Sequence, residues 1–216
     1  MLLTARDEDI MRVLSLKLRL LTLSQVAEIW WTPSALGLAA ARRRLAALRQ
    51  AGLAVLRYVQ ARPLPEIDAP LFSWHPGQSS PDYGPLAWKL QRRWTAAPRR
   101  TAVLLATRRG ANQFGGRGGG IVKQHFQASH DLGVSQMYVV LRRLRPEQAK
   151  RWVGEDLLSY LRRSRKSREK IPDAAILADG TQDIDRILEF GGAYDAARLR
   201  RFHRDCSRRE LPYELW

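Results

Sequence analysis

Apolar residues in the N-terminal part of the chain follow helical spacing, interrupted by turn-forming residues. An alanine-rich helix is predicted to begin near Ser34 and to end at Gly52, with leucines spaced to turn one side toward a core. A shorter helix is predicted before it, at about residues 24–31, and Thr32-Pro33 marks the break between the two. The pattern therefore predicts two consecutive helices joined by a tight turn.

Strand-like patterning follows this pair of helices. Residues 53–59 form an apolar, β-prone run, and residues 71–74 (LFSW) are predicted to be its partner strand. The proline-punctuated loop between them cannot be a central strand. Helix, turn, basic helix, glycine and strand in this order have the layout of a winged helix-turn-helix, which is predicted to occupy residues 1–76.

The rest of the chain divides into a connector and a C-terminal unit. Residues 77–121 are predicted to contain a linker, a helix and a glycine-rich loop. Residues 122–216 begin with a helical pattern and end in strand, turn, strand, helix and strand, which is an α/β unit. The sequence thus predicts an α+β protein.

Composition adds a strong positive charge to this picture. The 216 residues include 37 Lys and Arg against 21 Asp and Glu, a formal net charge of +16. Such an excess favours a polyanionic partner, most commonly nucleic acid. The single cysteine, Cys206, excludes an intrachain disulfide, and the sequence has neither a signal-peptide pattern nor an apolar run of about 20 residues. We therefore expect a cytoplasmic protein with no membrane partner.

The basic residues of the predicted winged helix are the candidate contacts to double-stranded DNA. In the second helix these are Ser34, Arg42, Arg43, Arg44 and Arg49. The predicted wing adds Arg57 and Arg62, and the following loop adds Arg108, Arg109 and Arg117. Arginines on such a helix enter the major groove or hold flanking phosphates. The alternative is that they form an ordinary solvated helix surface.

Two carboxylates end adjacent strands of the predicted C-terminal hairpin. Asp173 precedes one apolar strand and Glu189 closes the next, so that both side chains are predicted to converge, with Glu155 as a further acidic candidate. Carboxylates placed in this way bind Mg²⁺ or Mn²⁺ in enzymes that hydrolyse phosphodiesters. A metal-dependent DNA endonuclease or nickase that uses Asp173 and Glu189 is therefore an alternative function.

This arrangement resembles the core of the PD-(D/E)xK nuclease superfamily. The resemblance implies a small sheet of restriction-endonuclease type in which Asp and Glu bind the metal and a Lys two residues later orients water. Gly191 stands at the position of that Lys. Lys170 and Arg198 are the candidates to replace the missing cation. We expect a degenerate, non-catalytic domain without a cofactor.

Several other residues are candidates for binding or packing. The glycine pair before the last helix leads to possible phosphate contacts at Gly191, Gly192, Tyr194, Arg198 and Arg201, or simply to a tight turn. The histidines His125, His130 and His203 show no metal-ligand spacing and are expected to be core or surface residues. The tryptophans Trp30, Trp31, Trp88 and Trp94 are expected to pack between the units.

Four stretches together resemble the replication-relaxation family of bacterial plasmids and mobile elements. They are ARRRLAALRQAGLAVLR, HDLGVSQMYVVLRR, PDAAIL and EFGGAYDAARLRRFH. The resemblance implies an N-terminal winged helix, a C-terminal nuclease-like fold, and a role in plasmid replication, relaxation or mobilisation through DNA binding. We therefore predict a sequence-selective DNA-binding protein of such an element, with a homodimer or replication and mobilisation proteins as further partners. A second alternative makes the C-terminal unit a dimerisation or protein-interaction platform.

Overall fold

The first helices begin at polar side chains that cap their exposed backbone amides. In the computed structural model, which describes residues 2–116, 127–162 and 171–216, the chain is α+β, as predicted. Helix α1 (Ala5–Arg12) starts after Thr4, continues into a π-helical turn (Val13–Lys17), and is followed by α2 (Leu23–Trp30). Both helices start with a capping box, in which the cap side chain and the third helical residue exchange hydrogen bonds with each other's backbone amides.

Helix α3 (Ala35–Gln50) begins and ends where the sequence predicts. The Ser34 hydroxyl accepts a hydrogen bond from the Gly37 amide at 3.1 Å. Gly52 then takes a left-handed conformation (φ of 70°), which lets the Leu53 amide bond back to the Leu48 carbonyl at 3.0 Å. The glycine therefore turns the chain directly from the helix into the first strand.

The partner of this strand lies farther along the chain than predicted. Strand β1 (Ala54–Ala61) pairs in antiparallel register with β3 (Arg99–Ala106), and Leu21 bridges to Leu104 on the outer edge of β3. The prediction that residues 71–74 pair with β1 is wrong. Phe72–Trp74 (β2) instead pairs with the last strand of the chain. Strand β1 takes β3 as its partner, because β3 offers eight residues of matching β-prone sequence with an apolar end that is buried.

Residues 62–98 consequently form an insertion between two paired strands. The insertion contains β2 and helix α4 (Tyr83–Arg92). Strand β2 belongs to the second sheet, whereas β3 pairs with β1. Residues 77–116, within the predicted stretch of linker, helix and glycine-rich loop, supply α4, β3 and a further short helix.

The second sheet has five strands and is mixed. The remaining elements are α5 (Arg108–Gln113), α6 (Ala128–Leu144), α7 (Pro146–Lys150), β4 (Trp152–Gly154), α8 (Glu155–Arg162), β5 (Ala174–Leu177), β6 (Ile184–Glu189), α9 (Ala196–Arg208) and β7 (Tyr213–Leu215). The strand order is β2-β7-β6-β5-β4; β6 and β7 are parallel and the other neighbours antiparallel. None of the described helices is long and apolar enough to cross a membrane.

Side chains on the two faces of this sheet belong to two different apolar cores. Leu188 and Trp216 pack in the core that also contains residues of α1, α2, α3 and α6. Ile187, Tyr213 and Leu215 point the other way and pack against α4 and α9. The sheet therefore separates α1, α2, α3 and α6 from α4 and α9.

Close packing of α6 on the sheet depends on a glycine. A Cβ atom at Gly133 would overlap the ring of Phe190, which is fully buried. The ring is further enclosed by Trp94 and His130, whose ring centroids lie 6.0 and 5.9 Å away. Rings held on several sides leave little room for a shift, so Gly133 fixes the distance between α6 and the end of β6.

We expect Gly133→Ala to destabilise the fold by about 1–3 kcal/mol, because the added methyl group overpacks this contact. Gly84→Ala is the matched control, since its Cβ would lie 3.7 Å from the Asp82 side chain at an exposed helical position. Because Gly84 is helical and precedes Pro85, that change carries a small backbone cost of its own, but it is expected to destabilise the fold less than Gly133→Ala does. Urea unfolding of both variants measures the difference; equal stabilities would contradict the packing argument.

Candidate nucleic-acid interface and carboxylate cluster

One side of α3 is buried and the other is exposed and basic. Ala41, Leu45 and Leu48 are buried in the core. The exposed side, called here the α3 face, consists of Leu36, Ala39, Arg42, Arg43 and Arg49. Leu36 is 84% exposed, which is unusual for a large apolar side chain in the first turn of a helix. Ala39 lies between Leu36 and the arginines, so no bulky side chain blocks approach to the middle of this face.

Arg44 differs from its neighbours, since it points back into the protein. Its Nε donates to Asp7 Oδ1 at 2.6 Å, and its Nη2 contacts the other oxygen of the same carboxylate. Asp7 is fully buried. Burial alone would raise the pKa of Asp7, but hydrogen bonds from Arg44 and Thr4 lower it below its usual value. Arg44 therefore ties α3 to α1, and its predicted role as a DNA contact is not supported.

The other predicted DNA contacts are distributed around α3 and the β1–β3 sheet. Arg57 is exposed on β1, and Arg108 and Arg109 are exposed at the start of α5, where Arg109 lies close to Gly52 at the end of α3. Arg62 is engaged by the protein's own backbone and side chains: its guanidinium contacts the Ala96 carbonyl and its amide donates to Ser129 Oγ at 2.8 Å. Arg117 lies outside the described residues.

Two exposed arginines at the start of β3 were not predicted. Arg99 and Arg100 lie opposite Ala61 and Gln60, and the Arg100 guanidinium lies 4.0 Å from the centre of the Tyr58 ring. Tyr58 is 55% exposed. Their place beside Tyr58 follows from the pairing of β1 with residues 99–106, a run that was predicted to lie in a separate connector.

The two predicted carboxylates are neighbours in the structure. The register pairs Ala174 with Leu188, so that Asp173 and Glu189 lie side by side at the same end of β5 and β6. Asp173 Oδ2 accepts hydrogen bonds from the Phe190 amide at 2.8 Å and lies 3.2 Å from His130 Nε2. Glu189 is fully buried, and the Tyr194 hydroxyl donates to it.

His130 is the positive charge of this cluster. Burial alone would lower the pKa of His130, but the carboxylates of Asp173 and Asp131, with a smaller contribution from Glu189, raise it to about 10. Burial and the carboxylates of Glu189 and Asp173 raise the pKa of Tyr194, which therefore stays protonated and donates to Glu189. From the sequence, His130 was predicted to be an ordinary core or surface histidine; its contact with Asp173 depends on how α6 packs on the sheet.

The cluster does not fit a catalytic metal centre of the predicted kind. Glu155 forms an ion pair with Arg19 at 2.9 Å; burial raises the pKa of Glu155, and the nearby charge of Asp173 adds to that rise. Among the described residues, no group of three or more His, Cys, Asp or Glu side chains is placed to hold a metal ion. A Cβ at Gly191 would lie 2.7 Å from Leu90 Cδ2, so a lysine at that position would have to displace a buried leucine. Lys170 lies outside the described residues.

The predicted phosphate site before α9 is also occupied by the protein's own side chains. Asp195 caps α9, and its carboxylate accepts a hydrogen bond from the Arg198 amide at 2.6 Å. Gly191 is buried, and Gly192 packs near Tyr194 and His130. Arg198 stacks on the Tyr194 ring at 4.0 Å. The glycine pair lies in the turn that leads into α9, and Arg198 and Arg201 are both exposed on that helix.

The remaining aromatic and histidine predictions have mixed outcomes. His203 is buried and hydrogen-bonded to the Tyr213 hydroxyl at 3.0 Å, as expected for a core histidine, whereas His125 lies outside the described residues. Trp30 and Trp94 are partly buried against the main core, as predicted. Trp88 does not pack between units; it is 58% exposed on α4.

Comparison with known proteins adds no relative to this description. No protein-family model matches the chain, and no significant match is found among curated proteins or solved structures.

The raised pKa of His130 predicts how stability changes with pH. The unfolded histidine has a pKa near 6.5, so the stabilisation by its positive charge is complete below about pH 6.5 and is lost as pH rises through about 10. The stability difference between the wild type and His130→Gln is expected to shrink over this window in denaturant titrations. His75→Gln, at an exposed histidine, is the control. A difference that stays constant from pH 6 to pH 10 would rule out the charged His130.

Proposed function

We propose that the protein binds double-stranded DNA through the α3 face. The observation that carries the proposal is the division of α3 into a buried apolar side and an exposed side with three arginines. The described order of helix, bridging strand residue, two helices and antiparallel strand pair is the order of a winged helix-turn-helix, in which the last helix enters the major groove.

The α3 face has the chemistry for both parts of duplex recognition. Arg42 and Arg43 lie at the centre of the helix, where guanidinium groups reach guanine edges or phosphates. Leu36 offers an exposed apolar side chain, and such side chains contact the methyl group of thymine in the major groove. The alanine between them allows the helix backbone to approach the groove closely.

Arginines around α3 supply the backbone contacts in this proposal. Arg108 and Arg109 lie at the end of α3 near Gly52, and Arg57 is exposed on the adjacent strand. Arginines that flank a groove-binding helix hold phosphates and fix its register on the duplex. Arg44 and Arg62 are left out because both are bound within the protein.

We propose that the C-terminal sheet is a non-catalytic scaffold of restriction-endonuclease type. Helix α6, the antiparallel strands β4, β5 and β6, helix α9 and the parallel strand β7 follow one another in the described chain. Asp173 and Glu189 stand at the expected strand ends, but His130 and Tyr194 engage them. A role in plasmid or mobile-element replication, mobilisation or transcription control rests on the family resemblance of the sequence alone.

The double variant Arg42→Ala/Arg43→Ala is expected to lower the affinity for a mixed-sequence DNA duplex by about 10-fold or more. Each lost phosphate contact should also reduce the slope of log K against log salt by roughly 1. Fluorescence anisotropy at several salt concentrations measures both quantities. Arg12→Ala/Lys150→Ala removes the same charge from exposed positions paired with Glu8 and Glu147 and is expected to bind nearly as the wild type does. Equal losses in both double variants would leave only non-specific charge attraction.

Supercoiled plasmid is expected to be bound but not cleaved in the presence of Mn²⁺. Cleavage would require Asp173 and Glu189 to exchange their partners His130 and Tyr194 for a metal ion. The measurement compares plasmid incubated with Mn²⁺ or EDTA on gels, before and after removal of the protein. Nicked or linear product that depends on Mn²⁺ and disappears in Asp173→Ala would make the protein a nuclease and contradict the scaffold proposal.

A further inference from the structure

A second basic surface lies on α4 and α9, across the sheet from α3. The two helices run side by side in opposite directions, because Tyr83 at the start of α4 contacts Arg200, and Gln91 near its end donates to the carbonyl of Tyr194, just before α9. Their buried sides pack on the sheet through Leu90 and Leu199. The exposed residues of the two helices include Trp88, Arg92, Arg200, Arg201 and Arg204, called here together the α4–α9 face.

The charge of this face is almost entirely positive. Helix α4 contains no acidic residue, and Asp205 is the only acidic residue within α9. Asp205 pairs with Arg208 and Arg209, at 3.1 and 3.2 Å, toward the far end of the helix. The arginines at the centre of the face are therefore not neutralised by carboxylates of their own helices, which favours a polyanion as the partner.

An exposed tryptophan distinguishes this face from an ordinary solvated helix. All seven tryptophans lie in the described part of the chain, and Trp88 alone is exposed. It is 58% exposed, and the Arg92 guanidinium lies 4.6 Å from the centre of its ring, which orients the indole on the surface. An exposed indole with guanidinium groups around it provides a stacking platform for a base and charges for the neighbouring phosphates.

We propose that the α4–α9 face binds a single-stranded segment of nucleic acid, with an unpaired base stacked on Trp88 and phosphates held by Arg200, Arg201 and Arg204. Stacked bases inside a duplex do not offer their faces to a protein side chain, so the tryptophan selects the unpaired strand. The sheet separates this surface from the α3 face. A duplex and a single strand therefore bind at the same time and do not compete.

The test uses the full chain and a labelled oligo-dT of about 16 nucleotides, a length that spans one typical single-strand site. Trp88→Ala is expected to weaken oligo-dT binding by roughly 5- to 100-fold, and Trp88→Phe to restore much of it, because stacking on one base contributes about 1–3 kcal/mol. The triple variant Arg200→Ala/Arg201→Ala/Arg204→Ala is expected to weaken it further. All three variants are expected to bind a mixed-sequence duplex as the wild type does.

Arg42→Ala/Arg43→Ala is the reciprocal control, with oligo-dT affinity expected to be unchanged and an excess of unlabelled duplex expected to leave bound oligo-dT in place. A wild-type protein that does not bind the duplex would contradict the proposed function but would not contradict this inference. Oligo-dT affinity that is insensitive to Trp88→Ala would overturn the inference. So would displacement of oligo-dT by poly-glutamate at an equal concentration of charge, since that would identify an acidic polypeptide as the better partner.

Discussion

The pairing of β1 with β3 is the constraint on which the arrangement of the molecule depends. Because Ala61 lies opposite Arg99, the inserted residues 62–98 must leave the sheet and return to it at the same place. Between these points the chain places β2 on the edge of the second sheet and α4 on α9. The position of the C-terminal sheet relative to α3 therefore follows from one strand pair and from the contacts that its insertion makes.

Several basic residues of this positively charged chain are paired with buried carboxylates. Asp7 binds Arg44 and Asp173 binds His130, while Glu214, which is almost fully buried, accepts hydrogen bonds from Arg145 at 2.6 and 2.8 Å and from Arg186 at 2.7 Å. Removing one partner from such a pair leaves an uncompensated charge in a poorly solvated place, which is costly. These basic residues hold helices and strands together. The net charge of the sequence consequently favours a polyanionic partner, but it does not identify the arginines that would contact that partner.

Local signals in the sequence predicted most helices and strands, whereas contacts between distant segments were not predictable. The start of α3 near Ser34 and its end at Gly52 depend on neighbouring residues and followed from the pattern. The partner of β1 could not be chosen from propensity, since LFSW and the longer run are both β-prone and only the second sheet decides between them. For the same reason Arg44 looked equivalent to Arg42 and Arg43. Its role depends on Asp7, thirty-seven positions away in the chain.

The carboxylate cluster is held together by partners that the protein itself supplies. The strand ends still bring Asp173 and Glu189 together, since their register is set by the packing of β5 on β6. In the place of an external cation, the cluster contains His130, which α6 supplies and which Gly133 on the same helix allows to come close to the sheet. His130 is then an internal cation beside these buried carboxylates. In the two binding proposals, the α3 face and the α4–α9 face lie on opposite sides of the sheet, so the sheet would separate a duplex from a single strand.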